Sequence, residues 1–209
     1  MYRPRIKICG ITQVEDALTA ARAGVDAIGL NFYQHSPRYV EMQRAAEIVA
    51  SLPAFVTSVG LFVNHSARQV WQVLDSIPLD CLQFHGDETD EFCCQFGRPY
   101  IKAISMKPGL GVEQAMAAYP GASAILLDAW DPKQFGGTGK AFNWQDVPAD
   151  VANSIILAGG LSVANVGEAI DLLRPYGVDV SGGVELEKGV KSGKKIVEFV
   201  AKVNQKMMI

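Results

Sequence analysis

The chain has 209 residues, 49% hydrophobic and 20% charged, with a formal net charge of -3. That length supports one sizeable core and no linker marks a second, so residues 1–209 are expected to form a single domain. A slightly acidic chain lacks the clustered Lys and Arg of a nucleic-acid surface, although small anionic ligands remain open to it. No stretch approaches the roughly 20 apolar residues that span a bilayer, and the N-terminus lacks the apolar segment of a secretory signal. The expectation is a cytoplasmic protein with neither nucleic-acid nor membrane partner.

Short apolar runs rich in β-formers recur along the chain: Ile6 to Cys9, Ala27 to Phe32, Val56 to Val63, Cys81 to His85, Tyr100 to Ile104, Ala124 to Asp128, Ile155 to Ala158 and Val178 to Ser181. Most are continuous rather than alternating, as parallel strands covered on both faces require. Helical spacing fills the gaps. It begins with Val14, Ala17, Leu18 and Ala21, continues through Ala45, Ile48, Val49 and Leu52, and returns at Val70, Val73, Leu74 and Ile77. Later faces are Val112 with Ala115, Met116 and Tyr119, Val166 with Ala169, Ile170 and Leu173, and Ile196 with Phe199, Val200 and Val203. Thr12 with Glu15 predicts a capping box, Gly24 a helix stop, and Ser162 an N-cap for the helix holding Ala169. The gaps around Phe92 and Phe96 and at Asn143 to Val147 carry weaker patterns. This order predicts an α/β protein, a single-domain (β/α)8 barrel, with an open doubly wound sheet as the alternative.

In such a barrel the chemistry gathers at the carboxyl ends of the strands. The residues falling there are polar: Cys9 on the first strand, Asn31 on the second, His85 after the fourth, Asp128 on the sixth and Ser181 on the eighth. A thiol and a carboxylic acid on different strands facing one cavity suit a reaction in which one group removes a proton and the other supplies one. Cys9 alone would read more readily as a buried structural thiol; its pairing with Asp128 at another strand end favours the functional reading. Lys7 and Asp179 each precede a strand-end polar residue by two positions and share its face, so they are expected to pair inside the barrel or to serve the site. If they serve it, Lys7 would favour the Cys9 thiolate. His85, within Gln83-Phe84-His85-Gly86, reads either as a substrate contact or as a structural histidine.

Glycines mark the loops after the last two strands, Gly159-Gly160 and Ser181-Gly182-Gly183. With a short extra helix, those two loops commonly form a phosphate site. Arg38, in Ser36-Pro37-Arg38-Tyr39, carries a guanidinium fork shaped for a substrate carboxylate. Gly136-Gly137-Thr138-Gly139-Lys140 departs from a nucleotide P-loop, with Gln134 for its first glycine and Ala141 for its final Ser/Thr, and is expected to be a mobile loop over the site. The four cysteines, Cys9, Cys81, Cys93 and Cys94, show no metal-like spacing with His35, His65 and His85, so reduced thiols and no metal are expected. Cys93 and Cys94 read as small buried apolar side chains.

Lys7-Ile8-Cys9-Gly10-Ile11-Thr12, Ser36-Pro37-Arg38-Tyr39, Gln83-Phe84-His85-Gly86, Leu126-Leu127-Asp128, Gly136 to Lys140 and Val178 to Glu185 together resemble the phosphoribosylanthranilate isomerases of tryptophan biosynthesis. The resemblance spans nearly the whole chain. It implies a (β/α)8 barrel without a cofactor, acting on a small phosphorylated substrate as a monomer or homodimer. The implied reaction is an Amadori rearrangement of N-(5-phosphoribosyl)anthranilate to 1-(2-carboxyphenylamino)-1-deoxyribulose 5-phosphate. By resemblance, Asp128 would be the general acid, Cys9 the general base, Arg38 the holder of the anthranilate carboxylate, and the glycine loops the phosphate cradle. Such a site would have to favour the thiolate of Cys9 and the neutral acid of Asp128. Two departures are local: Gly182 stands where many members have a second serine, and Ser192 where many have Asp.

The alternatives are a related phosphosugar barrel and a non-catalytic barrel that binds a phosphorylated ligand. The first calls for a lysine and glutamate set or a metal-supported acid pair. Neither accounts for Cys9 together with Asp128.

Overall fold

The computed structural model describes residues 2–130 and 142–206. Arg5–Cys9 (β1), Ala27–Asn31 (β2), Thr57–Phe62 (β3), Cys81–Phe84 (β4), Tyr100–Met106 (β5), Ala124–Ala129 (β6), Ile155–Leu157 (β7) and Gly177–Val180 (β8) pair in that order and close into a barrel through β1 and β8. Every pairing around the barrel is parallel. The helices between and after the strands are Val14–Ala23 (α1), Met42–Ser51 (α2), Ala67–Ser76 (α3), Asp90–Cys94 (α4), Val112–Ala117 (α5), Ala149–Ala152 (α6), Val166–Leu173 (α7) and Gly193–Asn204 (α8). A hairpin of Glu185–Glu187 (β9) and Val190–Lys191 (β10) lies between β8 and α8. The eight expected runs each hold one strand. The weak sixth gap is a short 3-10 turn, Trp144–Asp146, followed by the single turn of α6.

Both faces of each strand are buried, which is why the runs read as continuous rather than alternating. The alternation reappears in what each face touches. Ile6 and Ile8 of β1 pack outward into the core shared with the helices, which also holds Ile28, Leu30, Leu82 and Phe84. The inward residues form a separate apolar layer of Val59, Cys81, Ile101, Ala103, Leu126, Ile156 and Ala158. One residue pair further along the strands the interior turns polar: Gln83 stands beyond Cys81, and Asp128 beyond Leu126. The barrel therefore has a greasy floor and a polar mouth.

Three expectations about small side chains differ from the structure. Thr12 does not cap α1; Gln13 takes that place without a side-chain cap, because the Thr12 hydroxyl donates to the Gly189 carbonyl at 2.9 Å. Ser162 does not cap α7, since Asn165 is the N-cap and its amide oxygen accepts from the Ser162 backbone N–H at 2.8 Å. Cys94 is exposed, whereas Cys93 is fully buried as expected. Gly24 does stop α1, in the left-handed conformation at φ 93°. The clearest capping box, Ser66 with Gln69, begins α3.

Phe84 is the aromatic hub of the outer core, with ring contacts to Phe62, Phe92, Phe96 and Tyr100 at 5.8–6.0 Å. It is fully buried. Phe84→Ala is expected to lower unfolding stability by about 3–5 kcal/mol, the usual range for emptying such a site; a denaturant titration that moves by less than about 1 kcal/mol would mean the cluster collapses around the gap.

Candidate active site

The polar mouth is built from β1 outward. Cys9 closes β1 as an inward residue, and Gly10 turns the chain away at φ 74°, which a side chain would resist. Below the thiol, Lys7 sits opposite Asp179 in the β1–β8 register, and its ammonium meets Asp179 Oδ1 at 2.9 Å. Both are buried. The expected interior pair is therefore present. Burial, the largest influence, works against the charge of Lys7, but Asp179 and Cys9 together overcome it and hold the ammonium above its ordinary range. Burial also pushes the Cys9 thiol up; Lys7 and Lys191 oppose it, Asp179 reinforces it, and the thiol stays above its usual value. Lys7 thus acts in the expected direction without making Cys9 a resting thiolate.

Asp128 and His85 face each other across the mouth. Asp128 Oδ1 accepts from the Ala129 backbone N–H at 2.8 Å, and Oδ2 lies 3.2 Å from His85 Nε2, too far out of line for a hydrogen bond. His85 Nδ1 and Gln83 Nε2 are 3.3 Å apart, with the ring's donor and acceptor roles set by its tautomer. Among the described residues, Gln83 Oε1 and His85 Nε2 are buried without a hydrogen-bond partner. Buried polar atoms of that kind normally have one; Trp144 Nε1 is a third, away from the mouth. Gln83 was not singled out from sequence; its inward, strand-end place two residues before His85 is the signal that could have found it.

The third group of charges surrounds Ser181. Arg38 reaches back from the loop after β2 and binds Glu185 through two hydrogen bonds, Nε to Oε1 at 2.7 Å and Nη2 to Oε2 at 2.9 Å. Lys191 reaches the same carboxylate from β10 at 2.8 Å and also donates to the Ser181 carbonyl and hydroxyl at 3.2 Å. Burial alone would raise the Glu185 carboxyl, but Arg38 and Lys191 hold it below the usual range. Burial dominates at Lys191 and brings its ammonium below its ordinary value despite Glu185. Two cations thus meet at the Glu185 carboxylate at the end of β8. Neither Glu185 nor Lys191 was legible as a site residue, because the partners are joined only by the hairpin and by Arg38 far away in sequence.

The β9–β10 hairpin follows β8 directly. The glycine loops it supports come together closely: Gly183 forms an isolated bridge with Ser162, and a Cβ on Gly183 would stand 1.9 Å from the Leu161 carbonyl oxygen. Only glycine permits that approach. One cleft is lined by Cys9, Arg38, His85, Asp128 and Asp179, and by Gly159, Gly160, Ser181, Gly182 and Gly183. All ten residues singled out for the site meet there. The Gly136 to Lys140 loop lies outside the described residues. Among those described, no group of three or more His, Cys, Asp or Glu could hold a metal ion, and no helix is long and apolar enough to cross a membrane.

The chain matches the family model described as N-(5'phosphoribosyl)anthranilate (PRA) isomerase over residues 6–202. It is 57% identical over 202 residues to an N-(5'-phosphoribosyl)anthranilate isomerase of Pseudomonas aeruginosa strain UCBPP-PA14, covering 97% of this chain and 96% of that one. Phosphoribosyl anthranilate isomerase from Thermotoga maritima superposes with a TM-score of 0.87 at 38% identity, covering 97% and 99% of the two chains. A phosphoribosyl anthranilate isomerase in complex with reduced 1-(o-carboxyphenylamino)-1-deoxyribulose 5-phosphate superposes with a TM-score of 0.83 at 35% identity, again covering 97% and 99%. The chain belongs to the N-(5'-phosphoribosyl)anthranilate isomerase family.

Proposed function

We propose that residues 1–209, folded as one barrel domain, catalyse the Amadori rearrangement of N-(5'-phosphoribosyl)anthranilate in tryptophan biosynthesis. The carrying observation is that Cys9 and Asp128, on β1 and β6, open into one cleft with Arg38 and the paired glycine loops. The relative that holds a reduced form of the product's skeleton supports the same substrate for this chain. Four free cysteines agree with the reducing cytoplasm where we place the reaction.

Asp128 gives its proton to the furanose ring oxygen, the C1′–O bond breaks, and the anthranilate nitrogen lone pair forms the Schiff base. Cys9, as thiolate, then takes the C2′ proton. The electrons of that C–H bond form the C1′=C2′ double bond as the C=N π pair returns to nitrogen, and the resulting enolamine tautomerises to the ketone. Arg38 and Lys191, sharing Glu185, supply the field for the anthranilate carboxylate and the phosphate, while the loops of Gly159 to Gly160 and Ser181 to Gly183 close round the phosphate. Gln83 Oε1, which has no hydrogen-bond partner, is placed to take a sugar hydroxyl, and His85 stands beside Asp128.

An isomerase assay on freshly made phosphoribosylanthranilate tests the acid and base. Cys9→Ser and Asp128→Asn are each expected to lose at least about 100-fold in kcat, as removal of acid-base groups does; near-parental turnover in either removes that residue's role. Arg38→Ala is expected to raise KM at least about tenfold, the scale of a lost charged hydrogen bond, with a smaller change in kcat. For the cradle, Gly183→Val forces the loops apart and is expected to weaken inhibition by inorganic phosphate. Unchanged phosphate inhibition would show that the loops do not hold the anion.

A further inference from the structure

Lys7 has no step in the proposed reaction, yet its surroundings are arranged about it. It lies two residues below Cys9 on the same inward face, and in the β1–β8 register it stands against Asp179. On the other side, Gly29 pairs with Cys9 in the β1–β2 register. A Cβ at Gly29 would be 2.9 Å from Cys9 Sγ and 3.2 Å from Lys7 Cε. The absent side chain gives the sulfur and the lysine stem a shared niche. Within it, the Lys7 charge opposes the upward push that burial gives the thiol.

We propose that Lys7 is a positioning residue for proton abstraction, placing a positive charge against the Cys9 thiolate in the niche left by Gly29, with Asp179 as its counter-ion. The proposal rests on reading Cys9 as the base. The charged groups facing Cys9 are Lys7 from β1, Asp179 from β8, Lys191 from β10 and Arg38 from the loop after β2. From β3 and the residue after it come Leu61 and Val63, which are apolar. Lys191 and Arg38 are both bound to Glu185, so much of their field is spent on that carboxylate. Lys7 is shared differently. Asp179 binds its ammonium from β8 at 2.9 Å, while its stem shares the niche at Gly29 with the sulfur. When Cys9 takes the substrate proton the thiolate charge disappears, and the ammonium falls back wholly on Asp179.

The test separates this from a purely structural ion pair. Lys7→Met alone strands Asp179 in the interior and is a poor probe, so the informative variant is Lys7→Met/Asp179→Asn, which removes both charges together. The readout is the ultraviolet thiolate absorbance of Cys9 against pH, taken as the difference from the same protein with Cys9→Ser, beside the pH profile of kcat. The thiolate transition is expected to move up by about half a pH unit, roughly a threefold loss of thiolate at neutral pH, because the pull of Lys7 exceeds the opposite push of Asp179 that is lost with it. The kcat should fall by a similar factor and recover at alkaline pH in step with the absorbance. A folded double variant with the parental transition and parental kcat profile would leave Lys7 a structural partner of Asp179 only. Gly29→Ala keeps every charge but intrudes on the sulfur; it too is expected to raise the transition, and an unmoved transition there overturns the shared niche. If the parent shows a normal Cys9 titration but no isomerase activity, the proposed function falls while the influence of Lys7 on the thiol is still read directly.

Discussion

Closure of the barrel puts Lys7 against Asp179, and the polar mouth stands on that contact. Two charges at the β1–β8 seam are each buried where water cannot solvate them, so neither is tolerable without the other. Their registration fixes more than a salt bridge. Because successive strand residues face opposite sides, a slip of one position would turn Ile6 and Ile8 inward and send Lys7 and Cys9 into the helix-facing core. The strand pairing that places the lysine is the same pairing that presents the thiol. Stability and chemistry are thus set by one register.

Above that seam the charges are divided by strand. The proposed base belongs to β1 and the proposed acid to β6, with β7 and β8 between them in the barrel order. That separation lets one carry a proton while the other lacks one, which adjacent groups would exchange between themselves. The cations are gathered on the β8 side, where Glu185 binds both Arg38 and Lys191. The hairpin of β9 and β10 makes this possible by returning Lys191 over Ser181.

Much of this was readable from local pattern, and the failures share a cause. Strands buried on both faces leave unbroken apolar runs, and the polar residues ending those runs were read correctly as lining one mouth. Thr12 and Ser162 had the local signature of caps, yet one hydroxyl was taken by Gly189 and the other cap was supplied by Asn165. Arg38 was legible as an acid-binding fork; its tie to Glu185, 147 residues away, was not. Lys191 carried no local mark, because its position over Ser181 exists only once the hairpin has folded. The thiol's state was not legible for a different reason: neighbouring charges can be guessed from spacing, whereas burial, the largest influence on Cys9, is a property of the closed barrel.

That burial bears on how Cys9 could serve as a base. A raised thiol is mostly protonated at neutral pH, so each further unit removes nine-tenths of the reactive thiolate; the thiolate that remains is a stronger base, which offsets part of the loss. Lys7 recovers population without neutralising the anion by proton transfer, since Asp179 keeps its ammonium charged. The proposed reaction then asks little net charge movement of the cavity. Asp128 ends as an anion after giving its proton, Cys9 ends neutral after taking one, and the negative charge has passed from β1 to β6 with the total unchanged. A dry interior penalises creation of charge far more than its relocation between sites already built to hold it. The fixed cations at Lys7 and Lys191 favour the anion at the start of that exchange, and the Ala129 backbone N–H bonded to Asp128 receives it at the end.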